Sequence, residues 1–161
     1  MNKAIFLDRD GVINHPKKHY YVYRVEDFEF NKGVIEALQH FQEKDYLLIV
    51  ISNQGGIAKG KYTTDDVDAV HSHMESLLGQ HGIHLSAIYY CPHHNQVERC
   101  LCRKPEPLML EKATAQFDID PERSWFIGDK KTDVEAGTRA GIQTIKIRRN
   151  QDLRKVLDRI R

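Results

Sequence analysis

No run of apolar residues in this chain exceeds six, the length of Tyr46–Ile51. A membrane-spanning helix needs about 20, and residues 1–7, M-N-K-A-I-F-L, are too short to be a signal peptide or a span. Neither sign of charge dominates: 24 Lys and Arg face 23 Asp and Glu, a net charge of +1. That balance supplies no basic field for nucleic acid. Cysteine is scarce and odd in number, three in all, which argues against a disulfide framework. There is no internal repeat and no low-complexity tract. The expectations are a cytoplasmic location, no nucleic-acid partner, no membrane, and a monomer.

What is present is a globular composition, 40% hydrophobic and 29% charged over 161 residues, the size of one domain spanning 1–161. Short apolar runs alternate with helical stripes. Residues 3–7, 46–51, 87–90, 124–127 and 142–147 read as strands. Residues 33–44 carry Val34, Ile35, Leu38 and Phe41 at helical spacing. Residues 64–79 carry Val67, Val70, Met74, Leu77 and Leu78, with Thr63 or Thr64 as cap. Residues 106–117, with Pro107 in the first turn, and 132–140, closed by Gly141, read as two more helices. Leu153, Val156, Leu157 and Ile160 predict a last one. Unbroken apolar strands joined by amphipathic helices predict an α/β chain, a three-layer Rossmann-like sandwich with a mainly parallel sheet.

In such a sheet ligands bind at the carboxyl ends of the strands. The polar clusters fall there: Asp8 and Asp10 after the first strand, Ser52 and Asn53 after the second, Asp129 and Asp133 after the fourth. Arg103 and Lys104 lie in the long loop after the third. Polar residues also mark ordinary turns, but turns alone do not gather acids, a hydroxyl and a lysine on one edge. Magnesium takes oxygen ligands, often one or two carboxylates plus phosphate, and Asp8 with Asp129 offers those carboxylates. Asp8 is then placed to attack phosphorus, and Asp10 to protonate the leaving oxygen and activate water. Lys104 and Ser52 would hold phosphoryl oxygens.

D-R-D-G-V at 8–12, S-N-Q at 52–54, R-K-P at 103–105 and G-D-K-K-T-D at 128–133 resemble the four motifs of the haloacid dehalogenase superfamily, in order and over nearly the whole chain. The resemblance implies Asp8 as nucleophile, Asp10 as general acid and base, and magnesium bound by Asp8, the Asp10 backbone carbonyl and Asp129. Ser52 and Lys104 would hold the phosphoryl group. Asp133 is either a supporting acid near the metal or a first-turn charge on its helix. The second aspartate, Asp10, is absent from the dehalogenases of this superfamily, so its presence favours phosphoryl transfer from an alcohol oxygen.

All three cysteines lie in C-P-H-H-N-Q-V-E-R-C-L-C, residues 91–102. Cys91, His93, Cys100 and Cys102 make the donor set of a closed, structural zinc site; His94 is the alternative to His93. Because Cys102 adjoins Arg103 and Lys104, a metal clip there would fix those two cations.

Two branches of the superfamily carry such a loop, the heptose bisphosphate phosphatases and the histidinol-phosphate phosphatases. G-G-I-A-K-G-K-Y-T at 55–63, F-E-F at 28–30 and I-Y-Y-C-P-H-H at 88–94 look like the heptose branch. That implies a small phosphorylated sugar as substrate, with removal of the 7-phosphate of a heptose 1,7-bisphosphate in surface-glycan synthesis; a histidinol phosphate or another sugar or polyol phosphate is the alternative. Asn53, Gln54, Arg103, Lys130 and Tyr21 match its substrate contacts. Two departures stand out: Gly55 replaces the branch's usual serine, and the loop after Asn14 carries Lys17 and Lys18, candidates for a second phosphate. Only 41 residues separate Asp10 from Ser52, too few for a cap domain, so a capless site closed by loops is expected.

Overall fold

The computed structural model describes residues 1–16 and 20–160. Lys17 and Lys18, candidates for a second phosphate, lie outside the described residues.

Five parallel strands form one sheet in the order β3-β2-β1-β4-β5: β1 Lys3–Leu7, β2 Tyr46–Asn53, β3 Ala87–Cys91, β4 Trp125–Gly128 and β5 Gln143–Lys146. The central strand is buried from Ala4 to Leu7, as an unbroken apolar run between two helical layers should be. Alternation splits it: Ile5 and Leu7 join one core, Ala4 and Phe6 the other. The same split runs along β2, where Leu48 and Val50 face one way and Ile49 and Ile51 the other.

Helices α1 (Val34–Glu43) and α2 (Thr64–Gly79) cover the first face through Leu38, Phe41, Val70 and Met74. Helices α3 (Leu108–Gln116) and α4 (Lys131–Arg139) cover the second through Leu110, Ala113 and Ala136. Burying each such side chain stabilises the fold by about 1.5–3 kcal/mol. Thr63, not Thr64, caps α2: its side chain accepts from Asp66 N and the Asp66 carboxylate accepts from Thr63 N, a reciprocal box. Pro107 stands at the cap position of α3 rather than inside its first turn.

Several element boundaries differ from expectation. β2 runs two residues past its apolar stretch because Ser52 and Asn53 still pair with Tyr90 and Cys91 of β3, so a polar strand end is paid for by ladder bonds. β4 starts at Trp125 and β5 at Gln143. The last segment, Leu153–Arg159, is a 3-10 helix rather than an α-helix, and its buried Leu153 and Val156 are three residues apart, the repeat of that tighter turn.

The chain builds β1, β2 and β3 outward in one direction, then returns to lay β4 on the other side of β1. The loops after β1 and β4 therefore diverge at their carboxyl ends, which opens a crevice at this switch point. Among the described residues, no element larger than the 3-10 turn Val25–Asp27 stands between β1 and α1.

Candidate active site

Asp8 follows directly on β1 and is pinned to the neighbouring strand, its backbone N–H donating to Ile127 O at 3.1 Å. The turn that follows is tight, with Gly11 N–H donating to Asn14 O at 2.9 Å. Gly11 has φ +90, and a Cβ there would lie 2.3 Å from Asp129 Oδ2. Any other residue would thus drive the loop after β1 away from Asp129.

Lys104 comes in from the loop after β3 and ends among acids. Its ammonium lies 3.0 Å from Asp8 Oδ1 and 2.6 Å from Asp133 Oδ1, and donates to Ile51 O at 2.9 Å. Burial alone would lower its pKa; Asp8 and Asp133 overcome that and raise it. The Lys104 backbone is clasped by Asn53, whose Oδ1 accepts from Lys104 N at 3.0 Å while its Nδ2 donates to Lys104 O at 3.3 Å. Asp133 takes its expected first-turn place, Oδ2 accepting from Lys130 N at 3.1 Å at the start of α4, while its Oδ1 meets Lys104.

Asp8, Asp129 and Asp133 each bring a carboxylate oxygen within 4.8 Å of the others. Lys104 pairs with two of these acids, Asp8 and Asp133, and Arg149 Nη1 reaches the third, Asp129 Oδ2, at 3.3 Å. Burial first, then Asp133, raises the Asp8 pKa against the opposing pull of Lys104. Asp129 Oδ1 is buried without a hydrogen-bond partner. An orphaned carboxylate oxygen beside a surplus of negative charge is a donor set that fits a hard divalent cation.

Asp10 has different surroundings. The fully buried Arg9 donates to its Oδ1 at 2.9 Å, Asn14 Nδ2 donates at 3.0 Å and Gln54 Nε2 at 3.2 Å. Burial would raise the Asp10 pKa, but Arg9, Asn14 and Gln54 together hold it below the usual value. Arg9 also donates to Val22 O at 2.8 Å and meets His71 Nε2 at 3.2 Å. A guanidinium has no acceptor, so His71 must accept. Its pKa, lowered to about 3 by burial and then by Arg9, agrees.

Ser52 Oγ accepts from Gln54 Nε2 at 2.8 Å, and Gln54 Oε1 accepts from Tyr62 Oη at 2.6 Å. Asn53 and Gln54, expected among substrate contacts, therefore line the crevice with side-chain amides already engaged inside the chain. Tyr21, Arg103 and Lys130 line the same cleft beside Asp10. A deeper recess, contiguous with it through Asp10, Asn53 and Lys130, holds Asp8, Lys104, Thr132 and Asp133.

Cys91, His93, Cys100 and Cys102 bring their ligand atoms within 4.8 Å of one another. His93 Nδ1 lies 3.4 Å from Cys91 Sγ and 3.2 Å from Cys102 Sγ, and Cys91 Sγ lies 3.6 Å from Cys100 Sγ. His94 is turned away from the thiols and accepts at Nδ1 from Gln96 N at 3.1 Å. Burial, then the Cys102 thiol, pushes the Cys91 thiol up; a cation is what would make such a buried thiol a thiolate. Three sulfurs and one imidazole nitrogen at this mutual distance fit tetrahedral zinc. The loop also grips Arg103, whose N–H donates to Cys100 Sγ at 3.4 Å and whose Nη1 donates to His93 O at 3.1 Å.

Arg149, Thr132, Tyr62 and Arg9 were not among the candidates. Arg149 follows β5 and lies on the carboxyl edge by the rule that located the acids, so it was within reach. Arg9 and Tyr62 carry no local signal: Val22 O and His71 complete the bonds of Arg9, and Tyr62 reaches back across the turn after β2 to Gln54.

A family description of HAD-hydrolase-like proteins matches residues 101–160. A D-glycero-alpha-D-manno-heptose-1,7-bisphosphate 7-phosphatase of Campylobacter jejuni is 46% identical over 143 residues, 89% of this chain and 80% of that one. A D-glycero-beta-D-manno-heptose-1,7-bisphosphate 7-phosphatase of Pasteurella multocida is 43% identical over 148 residues, 89% of this chain and 79% of that one. Among solved structures, the D,D-heptose bisphosphate phosphatase of B. bronchiseptica, complexed with magnesium and phosphate, superposes with a TM-score of 0.85 at 30% identity, covering 98% of this chain and 86% of that one.

Proposed function

Because the chain belongs to the heptose-1,7-bisphosphate 7-phosphatases, among the haloacid dehalogenase-like hydrolases, we propose that it hydrolyses the 7-phosphate of D-glycero-D-manno-heptose 1,7-bisphosphate through a phosphoryl group carried on Asp8. The observation that carries the chemistry is the contact of one buried ammonium, Lys104, with Asp8 at 3.0 Å and Asp133 at 2.6 Å, at the point where the strands diverge.

Asp8, Asp129 and the Asp10 carbonyl would hold magnesium, whose charge would screen the phosphate from the surrounding acids. The Asp8 carboxylate attacks phosphorus as the bond to the sugar oxygen breaks, and that oxygen takes a proton from Asp10. Asp10 then removes a proton from water, the water oxygen attacks phosphorus, and Asp8 is released with inorganic phosphate. Held ionised by Arg9, Asn14 and Gln54, Asp10 rests in the form the second half of the reaction uses. For the first half it gains a proton as the substrate's negative charge enters. The Lys104 ammonium donates to Ile51 O and pairs with Asp8 and Asp133. The Asp8 contact is the one that loosens as negative charge passes from Asp8 to the phosphoryl oxygens, and Lys104 follows it. Ser52 Oγ completes the phosphoryl cradle. Zinc at Cys91, His93, Cys100 and Cys102 would be structural, since four protein ligands leave no open position.

Steady-state kcat/KM for both anomers of the heptose bisphosphate and for histidinol phosphate, with and without magnesium, tests the reading. The expected order is a heptose bisphosphate first, with activity lost to chelator and restored by magnesium. A preference for histidinol phosphate would overturn it.

Tyr62→Phe is expected to lower kcat about tenfold with KM little changed. The Tyr62 hydroxyl is what orients the Gln54 amide, so that Nε2 faces Asp10 and Ser52. Without it the amide is free to turn its carbonyl oxygen toward the Asp10 carboxylate, a loss of about 1–2 kcal/mol. Steady-state kinetics beside a circular dichroism melt check the effect.

No described helix is long and apolar enough to cross a membrane.

A further inference from the structure

Gly55 opens the turn after β2 and is buried beneath two side chains. A Cβ on it would lie 2.7 Å from His94 Cδ2, 2.8 Å from Arg103 Nη1 and 3.2 Å from His93 O. The first two distances are shorter than a side-chain carbon tolerates. Only the missing side chain lets the imidazole and the guanidinium come down onto this backbone. The branch that the sequence resembles usually has serine here, and its Cβ would occupy the space that His94 fills.

Both groups are fixed where they lie. Arg103 Nη1 donates to His93 O at 3.1 Å. Gln96 N–H donates to His94 Nδ1 at 3.1 Å. A nitrogen that accepts carries no proton, so the neutral ring holds its proton on Nε2. The His94 imidazole is thus set as an N–H donor before any ligand arrives. It lines the outer cleft together with Arg103, Lys130 and Arg149, and among the described lining residues Asp10 is the only acid. The recess that holds Asp8 and Lys104 adjoins this cleft through Asp10, Asn53 and Lys130. A substrate whose reacting phosphate enters the recess must therefore lay its other end in a cleft of three cations and one fixed N–H. A guanidinium fork beside a ring N–H matches the oxygens of a phosphate.

We propose that His94 is a specificity-determining residue, whose Nε2–H, admitted by Gly55, donates beside Arg103 to the phosphate that the enzyme does not remove. This rests on the reading that the substrate is a sugar bisphosphate.

The test compares kcat/KM for heptose 1,7-bisphosphate with that for heptose 7-phosphate, in wild type, His94→Ala, His94→Gln and Gly55→Ser, with zinc content measured in each. The expected result is a wild-type preference for the bisphosphate that falls about tenfold or more in His94→Ala and in Gly55→Ser. His94→Gln, which keeps an N–H, recovers part of it. Equal losses on both substrates would reduce His94 to a structural role and overturn the proposal, as would an unchanged preference in His94→Ala. If His94→Ala loses zinc, Gly55→Ser decides by the same criterion. A wild-type enzyme that does not favour the bisphosphate at all would instead remove the bisphosphate reading, and the proposal with it.

Discussion

Asp8→Asn is expected to abolish phosphoenzyme formation and turnover while making the magnesium-free protein more stable. The loss follows from chemistry, because a neutral amide cannot attack phosphorus as a carboxylate does; the fall in kcat should exceed about 10³-fold, more than 4 kcal/mol of barrier. The gain follows from the site's electrostatics. Asp8 is buried, and burial with Asp133 and Asp129 works against its ionised form more strongly than Lys104 favours it. A carboxyl whose folded pKa is raised costs stability at pH above its unfolded value, and the cost is relieved as pH falls through the raised pKa toward that value. The amide removes one of three crowded acids and leaves Lys104 paired with Asp133 at 2.6 Å. At this chain length each kcal/mol recovered shifts the melting temperature by about 2–4 °C. The melting gain from added magnesium should shrink in the same variant, since one of the metal's carboxylates is gone. Calorimetry with and without magnesium, beside acid-quench trapping of labelled phosphate, checks both arms. An Asp8→Asn enzyme with wild-type turnover would end the nucleophile assignment. A destabilised one would mean that Asp8 serves as a structural partner of Lys104.

The two arms together describe a site that holds its acids at a cost to the fold, and the sequence was legible where that cost is local. Apolar runs marked the first four strands and the alternating I-Q-T-I-K-I at 142–147 the fifth, and polar residues beyond them placed Asp8, Asp129 and Lys104 on one edge, because a parallel sheet gathers the carboxyl ends of its strands there. The cluster of Cys91, His93, Cys100 and Cys102 was legible for a similar reason, all four falling within twelve residues of chain. What stayed hidden depends on contacts across the chain. Arg9, between two aspartates, carries no local sign of burial, yet it is fully buried because Val22 O and His71, 62 residues away, complete its hydrogen bonds. Gln54 reads as a substrate contact, and nothing local shows that Tyr62 takes its carbonyl oxygen. The pairing of Asp133 with Lys104 was hidden too, since the two lie 29 positions apart and only the fold brings them together. His93 and His94 could not be told apart by spacing, since the Gln96 amide that draws off His94 lies inside a loop whose path the ligands themselves determine.

That loop carries the second large effect. Cys100→Ser with Cys102→Ser should remove zinc and raise KM for the bisphosphate about tenfold or more, with kcat changed much less. The split follows from how the two neighbouring cations are held. Arg103 depends on the loop, through its N–H on Cys100 Sγ at 3.4 Å and its Nη1 on His93 O at 3.1 Å. Once the cluster opens, both anchors go, and the guanidinium regains rotamer freedom worth up to about 2 kcal/mol. Lys104 has separate moorings: Asn53 clasps its backbone at 3.0 and 3.3 Å, and Asp8, Asp133 and Ile51 O hold its ammonium. One cation should be released to solvent while its neighbour in sequence stays at the reacting phosphate. The fold should also survive, because only Cys91 of the four ligands belongs to a strand; the residual cost should concentrate in residues 92–102, as faster proteolysis there. Zinc analysis, limited proteolysis and the kcat against KM comparison read the three consequences separately. A zinc-free variant with wild-type KM would show that Arg103 keeps its place without the metal, and a collapse of kcat equal to the rise in KM would show that the loop also positions Lys104.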